Sequence, residues 1–101
     1  MSKYVLAFRG QPDRQPVRDE NEAWGTWLGG LGAKIVDPGS RVGQVERLNA
    51  DAAGSAASEV LTGYIVVDAP DLSTATRLAQ DCPGLKSGVS VEVAETVPMA
   101  G

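Results

Sequence analysis

The segment that decides the fold is TGYIVVDAPDLSTATRLAQDCPG, residues 62–84, in which a strand-like apolar run passes through a short turn into a helical pattern. Residues 64–67 are continuously apolar, as is typical of a central strand that is covered on both faces or lies at a dimer contact. Asp71 stands where a helix N-cap is needed, and Pro83 with Gly84 ends the pattern. The apolar positions of this helix share one face: Leu72, Ala75, Leu78, Ala79 and Cys82.

Three other segments have the pattern of strands. Residues 3–8, KYVLAF, are a short apolar run rich in strand formers. Residues 34–36 predict a second strand, which the turn signal DPG at 37–39 is expected to end. Residues 88–97, GVSVEVAETV, alternate between valine and mostly polar side chains, as a half-exposed strand does. Residues 49–59 are rich in alanine, glycine and serine, and we expect a mobile loop there.

The first helix is predicted to begin near Asp19. Its apolar residues recur at i, i+3, i+4 and i+7, the spacing of an amphipathic helix. They are Trp24, Trp27, Leu28 and Leu31. Asp19 can cap the helix, and Glu22 at the N3 position can complete an Asp-led capping box by reaching back to the backbone N–H of the cap.

Glycine is frequent in this helix, whose central sequence is WGTWLGGLG. Each interior glycine costs about 0.5–1 kcal/mol relative to alanine, so something must offset that cost. One interpretation is that Gly25 and Gly29, which share a face, let the helix pack closely on the sheet. The alternative is that the same bare strip leaves room for a ligand between helix and sheet. Gly32 is expected to end the helix in the left-handed conformation.

The predicted order of elements is β-α-β-β-α-β, which defines the split-βαβ or ferredoxin-like α+β fold. In this fold the first and third strands lie in the middle of a four-stranded antiparallel sheet, and two helices cover one face. The sequence agrees, because its continuous apolar runs are the first and third strands. Residues 1–101 are predicted to form one domain. We expect the helix-free sheet face to pack against a second copy of the chain, forming a homodimer.

Composition excludes several classes of function. The net charge of -4 and the scattered basic residues provide no stripe for binding nucleic acid. With no histidine and one cysteine, the chain can form neither an internal disulfide nor the usual zinc site, and Ser-His-Asp and Cys-His catalysis are excluded. No apolar run is long enough for a signal segment or a bilayer span, so we expect a cytoplasmic protein that does not bind membranes. The sequence predicts no metal and no cofactor.

A long ordered series of segments carries a family resemblance. The segments are AWGTWLGGLG, IVDPG, LTGYIVVDAPDLSTATRLAQDCPGL and GVSVEVAETVPM. Together they resemble the YCII-related proteins, the family that includes the DGPF-type domains. The resemblance spans nearly the whole chain and implies a dimeric α+β barrel made of two ferredoxin-like units.

The resemblance also bears on chemistry. Some members of the family carry a histidine near the start of the first helix and an aspartate nearby, proposed as an active-site pair. A few relatives act as lyases or dehydrohalogenating enzymes on small ring compounds. In this chain the histidine position falls on Glu22, and the Asp-Gly-Pro-Phe element is missing before Thr62.

Two carboxylates and a group of aromatic residues are the candidate site. Glu22 and Asp37 could meet over the sheet and act as an acid/base pair, provided that burial raises the pKa of one of them. A helix cap and a turn former explain the same two residues without chemistry. The side chains that could line a pocket for a flat ligand are Phe8, Trp24, Trp27, Arg41 and Tyr64.

Two functional hypotheses therefore stay open. The first is a non-catalytic dimeric module that binds a small apolar or aromatic molecule or a protein partner. The second is a small lyase or isomerase that uses Glu22 and Asp37 in place of the family's histidine and aspartate. The absence of histidine favours the first hypothesis.

Overall fold

The computed structural model describes residues 2–11, 19–46, 48 and 59–99. The mobile loop expected at residues 49–59 lies outside the described residues, except for Glu59. The strands and helices follow in the order β1 Ser2–Gly10, α1 Glu20–Leu31, β2 Ile35–Arg41, β3 Val60–Ala69, α2 Leu72–Ala79 and β4 Ser90–Glu95. A 3-10 segment, Gly32–Lys34, follows α1, and a second one, Pro83–Lys86, follows α2 and is called the proline turn below.

The four strands form one antiparallel sheet in the order β2-β3-β1-β4. The first and third strands lie in the middle, as the sequence predicts. Leu6 of β1 pairs with Ile65 of β3 on one side and with Val93 of β4 on the other. The ferredoxin-like α+β fold is therefore confirmed. No helix in the described part of the chain is long and apolar enough to cross a membrane.

The two faces of the sheet differ sharply in burial. On the face that the helices cover, Leu6 and Val67 are fully buried, and Phe8 and Ile65 nearly so. The valines of the last strand region join this core, as predicted from their alternation. The other face, called the open face, carries the alternate residues of the same strands. Its apolar members include Val5, Ala7, Leu61, Tyr64, Val66 and Ala94.

The second strand is longer than the sequence predicts. It continues through Asp37, Pro38 and Gly39 to Arg41, so the expected turn is wrong. The physical reason is that β2 is an edge strand, where proline is tolerated because its missing N–H faces away from the ladder. The register shifts on both sides of Asp37, so the strand bulges there. Gly39 has φ +65°, and a Cβ at this position would overlap the carbonyl oxygen of Tyr64.

The start of the first helix also differs from the prediction. Asp19 adopts φ 71°, in the left-handed region, and its side chain makes no capping hydrogen bond. Its backbone carbonyl accepts from the Ala23 N–H at 3.0 Å, but the predicted capping box with Glu22 is wrong. Glu22 is exposed, whereas Glu20, at the first helical position, is buried.

The helix glycines do not pack against the sheet. A Cβ added at Gly25 or Gly29 would meet no atom within 4 Å, and both residues are exposed. Neither interpretation of the glycine strip holds, because these positions face away from the core. Gly32 does end the helix with a positive φ of 52°, but its ψ of -123° is not that of the left-handed helical region.

Candidate functional site

Three aromatic rings meet on the helix-covered face of the sheet. The centroid of Phe8 lies 5.0 Å from that of Trp24 and 6.1 Å from that of Trp27, and the two indoles are 5.6 Å apart. All three pairs are edge to face, an arrangement worth about 0.5–1.5 kcal/mol per pair beyond burial. Phe8 and Trp27 are buried, whereas Trp24 is half-buried. The cluster therefore reaches the protein surface through Trp24.

Each indole N–H in this cluster has its own acceptor. Trp27 donates from Nε1 to the backbone carbonyl of Leu78 in α2, at 3.1 Å. Trp24 donates from Nε1 to Oε2 of Glu20, one helical turn earlier, at 3.2 Å. These bonds define the orientation of both rings, since an indole has a single donor.

Glu20, which the sequence did not suggest as a site residue, joins this aromatic cluster. Its side chain is 7% exposed, and it is the one buried charged residue in the part of the chain that the structure describes. Its Oε1 accepts from the Ser87 hydroxyl at 3.0 Å, so the carboxylate joins α1 to the end of the proline turn. A signal was available, because Glu20 and Trp24 are four residues apart and therefore share a helix face.

Two residues of the proline-turn region are close to this pair, Cys82 to Glu20 and Gly84 to Trp24. Burial raises the pKa of the Cys82 thiol, and the negative charge of Glu20 raises it further, although N–H groups of the turn act in the opposite direction. Gly84 is buried against the indole: a Cβ there would lie 2.9 Å from Cζ2 of Trp24 and 2.8 Å from Cβ of Val89. Only glycine lets the turn approach the ring this closely.

The other residues of the predicted pocket are divided between the two faces. Arg41 pairs with Gly63, which pairs with Phe8, so Arg41 belongs to the helix-covered face, where it is exposed at the end of β2. Tyr64 pairs with Ala7 and belongs to the open face. The structure thus brings Phe8, the two tryptophans and Arg41 to one face and separates Tyr64 from them.

The two candidate catalytic carboxylates are not brought together within this chain. Asp37 pairs with Val66 of the open face, and its Oδ1 accepts from the Gly39 N–H at 2.8 Å. Glu22 belongs to α1 on the opposite side of the sheet and lines a shallow, open groove. The groove is lined by Asp19, Glu22, Ala23, Thr26, Trp27, Asp81 and Pro83. In the described ranges, no three potential metal ligands cluster together.

No curated protein sequence matches the chain. Among solved structures, the fold is similar to 5-chloro-2-hydroxyhydroquinone dehydrochlorinase (TftG) from Burkholderia phenoliruptrix AC1100, solved in complex with 2,5-dihydroxybenzoquinone. The TM-score is 0.59 at 18% sequence identity, and the match covers 89% of this chain and 90% of that one. The family model of the YCII-related domain matches residues 3–97, and the chain therefore belongs to the YCII-related family.

Proposed function

We propose that the protein is a homodimeric YCII-related domain that binds a small, flat aromatic molecule against Trp24 without transforming it. The observation that carries the proposal is the three-ring cluster, in which Trp24 is half-buried and its N–H is held by Glu20. A ring that is already fixed loses little conformational freedom when a ligand packs on it, so more of the contact energy appears as affinity.

The chemistry around the cluster favours a ring with polar substituents. Arg41 and Phe8 are in one row across the sheet, separated by Gly63, so their backbones are about 10 Å apart, two strand spacings. A six-membered ring and the arginine side chain can bridge that distance, and a guanidinium recognises oxygen anions well. The ligand in the TftG complex, 2,5-dihydroxybenzoquinone, is a flat ring of this class and is a suitable first probe.

Binding without catalysis is supported by the positions of Glu22 and Asp37, which are not assembled into an acid/base pair in the part of the chain that the structure describes. The chain has no histidine. Glu22 and Asp37 are exposed and belong to opposite sides of the sheet, so within one chain they cannot reach the same substrate as an acid/base pair. The competing lyase or isomerase hypothesis requires that a ring compound be converted, and 5-chloro-2-hydroxyhydroquinone, which carries a chloride that can be eliminated, is the compound to test.

Homodimer formation is supported by the open face. Its centre is apolar, with Val5, Val66 and Tyr64 half-buried in the single chain. At its rim, Nη2 of Arg9 lies 3.7 Å from Oε1 of Glu92, and both side chains are partly exposed. A sheet with one uncovered apolar face is expected to bury it against another layer. Light scattering at micromolar concentration should give a dimer, and Val66→Asp should give a monomer; a monomeric wild type contradicts the proposal.

Calorimetric titration with 2,5-dihydroxybenzoquinone tests the ligand site. Trp24→Leu should weaken binding about tenfold or more, since stacking on one aromatic side chain is worth about 1–3 kcal/mol. Tyr64→Leu is the matched control on the open face and should bind as the wild type does. A wild type that does not bind, or a Tyr64 variant that is the weaker of the two, contradicts the proposed site. A second assay, chloride release from 5-chloro-2-hydroxyhydroquinone measured with and without the protein, tests for turnover, which would favour the enzyme hypothesis.

A further inference from the structure

We infer that Glu20 is a positioning residue of the aromatic site: its carboxylate sets the orientation of Trp24 and links α1 to the proline turn. The inference rests on the proposed function, because it concerns the same ring. The two oxygens of the carboxylate accept from different donors: Oε2 accepts from Trp24 Nε1 at 3.2 Å, and Oε1 accepts from Ser87 Oγ at 3.0 Å.

The burial of Glu20 indicates that its carboxylate does more than fill space in the core. A carboxylate that is 7% exposed is expensive to desolvate, and an apolar residue of similar size would pack there at lower cost. A helix that needed only to bury its inner face could use leucine at this position, as it does at Leu31. What leucine cannot supply is an acceptor for an indole N–H on one side and for a hydroxyl on the other.

The two tryptophans provide an internal comparison. Trp27 is oriented by a backbone carbonyl, which a substitution at Leu78 would not remove. Trp24 is oriented by the Glu20 side chain. Without that acceptor, the Trp24 N–H would be left unsatisfied in a half-buried site, and the ring would be expected to turn toward water. Such a turn would disrupt the edge-to-face contact with Phe8, whose centroid is 5.0 Å away.

Indole N–H signals in ¹H–¹⁵N spectra of the full chain test the inference directly. The chain has two tryptophans, so the spectrum contains two such signals, and each is assigned by substitution. Glu20→Ala should shift the Trp24 signal and speed its exchange with water about tenfold, the factor expected for one lost hydrogen bond. The Trp27 signal should stay in place and serves as the check that the variant is folded.

Rescue by the conservative variant separates positioning from packing. Glu20→Gln keeps an oxygen that can accept from the indole, so its Trp24 signal should remain close to the wild type. The affinity for 2,5-dihydroxybenzoquinone should fall about tenfold in Glu20→Ala and stay within about threefold of the wild type in Glu20→Gln. If Glu20→Ala does not fold, Ser87→Ala replaces it, because losing the hydroxyl that donates to Oε1 should change the position of the carboxylate and shift the Trp24 signal.

The outcomes distinguish this inference from the proposed function. An unchanged Trp24 signal in a folded Glu20→Ala variant overturns the inference. Equal probe affinity in the wild type and Glu20→Ala overturns the positioning role but supports the ligand site. A wild type that does not bind the probe, combined with a shifted Trp24 signal, refutes the proposed function while confirming that Glu20 orients the ring.

Discussion

The two helices cover the same face of the sheet, yet different forces hold them. α2 starts at Asp71, whose Oδ1 accepts from the Thr74 N–H at 2.8 Å, as the sequence predicts. It buries only small side chains, Ala75 and Ala79. α1 starts without a side-chain cap and reaches the core through large residues, among them Trp27. Local sequence rules thus describe α2, whereas α1 depends on side chains that contact other elements.

This difference explains where close packing occurs. The small alanines of α2 let its backbone lie near the sheet. In α1 the two indoles fill the space between the helix and the sheet. The glycines of α1 are therefore free of close contacts, and the close approach to the ring of Trp24 is made by Gly84 of the proline turn. A glycine-rich helix does not by itself indicate a closely packed helix.

The largest expected effect is at Gly84, where the proline turn contacts α1. In Gly84→Ala the new methyl group would press on Trp24 and Val89, and overpacking of this kind typically costs about 1–3 kcal/mol. Urea denaturation measures the change in the free energy of unfolding. Gly43→Ala is the control, because a Cβ there would meet no atom within 4 Å. Equal stability of the two variants would show that the turn can move away from the ring.

An effect of opposite sign is expected within α1 itself. Gly25→Ala and Gly29→Ala should each stabilise the protein by about 0.5–1 kcal/mol, since both positions are helical and have open space around them. Gly32→Ala is the contrasting variant, because its φ of +52° disfavours alanine and stability should fall. Urea denaturation gives all three values. A loss of stability at Gly25 or Gly29 would indicate that another molecule, such as a second copy, covers that side of the helix.

The sequence predicted the architecture because the hydrophobic period and the capping preference of Asp71 are local. The runs in β1 and β3 indicated central strands, the alternation in β4 indicated one buried side, and Asp71 indicated a cap. All are confirmed. These features need no knowledge of what packs on the segment, since neighbouring residues determine them.

The candidate site was less predictable, because it depends on long-range contacts. Glu20 bonds Ser87, which is 67 positions away, and no spacing rule connects them. The capping box failed because Asp19 adopts a left-handed backbone and Glu22 is exposed. Asp37 lies on the open face because β2 bulges, which changes the register of an edge strand.

A matched pair of carboxylate substitutions tests the difference between the helix starts. Asp71→Ala should lower the melting temperature, because the Thr74 N–H loses its acceptor. Glu22→Ala should leave the free energy of unfolding within about 0.5 kcal/mol of the wild type, the usual range for an exposed residue without such a contact. Thermal melts compare the two. If the melting temperature of Glu22→Ala falls as much as that of Asp71→Ala, then Glu22 does cap α1, contrary to the structure.

The smallest expected effect concerns the charge of the α2 cap. The hydrogen bonds from Thr74 hold the pKa of Asp71 below its ordinary value, and the positive charge of Arg77 acts in the same direction. Because the folded-state pKa is the lower one, the ionised cap stabilises the protein above the unfolded-state pKa of about 3.9, and this contribution is lost as the pH falls through the folded-state pKa. Asparagine also caps helices, but it does not titrate.

As the pH is lowered from about 6 to about 2, the melting temperature of Asp71→Asn should therefore rise relative to that of the wild type. Every residue other than the one at position 71 is the same in both proteins, so the other contributions to stability largely cancel in the difference. Asp71→Ala is the control: its deficit relative to the wild type should shrink over the same range, since protonation weakens the wild-type cap. A difference between wild type and Asp71→Asn that stays constant with pH would mean that the cap stabilises α2 as a hydrogen-bond acceptor and not through its charge.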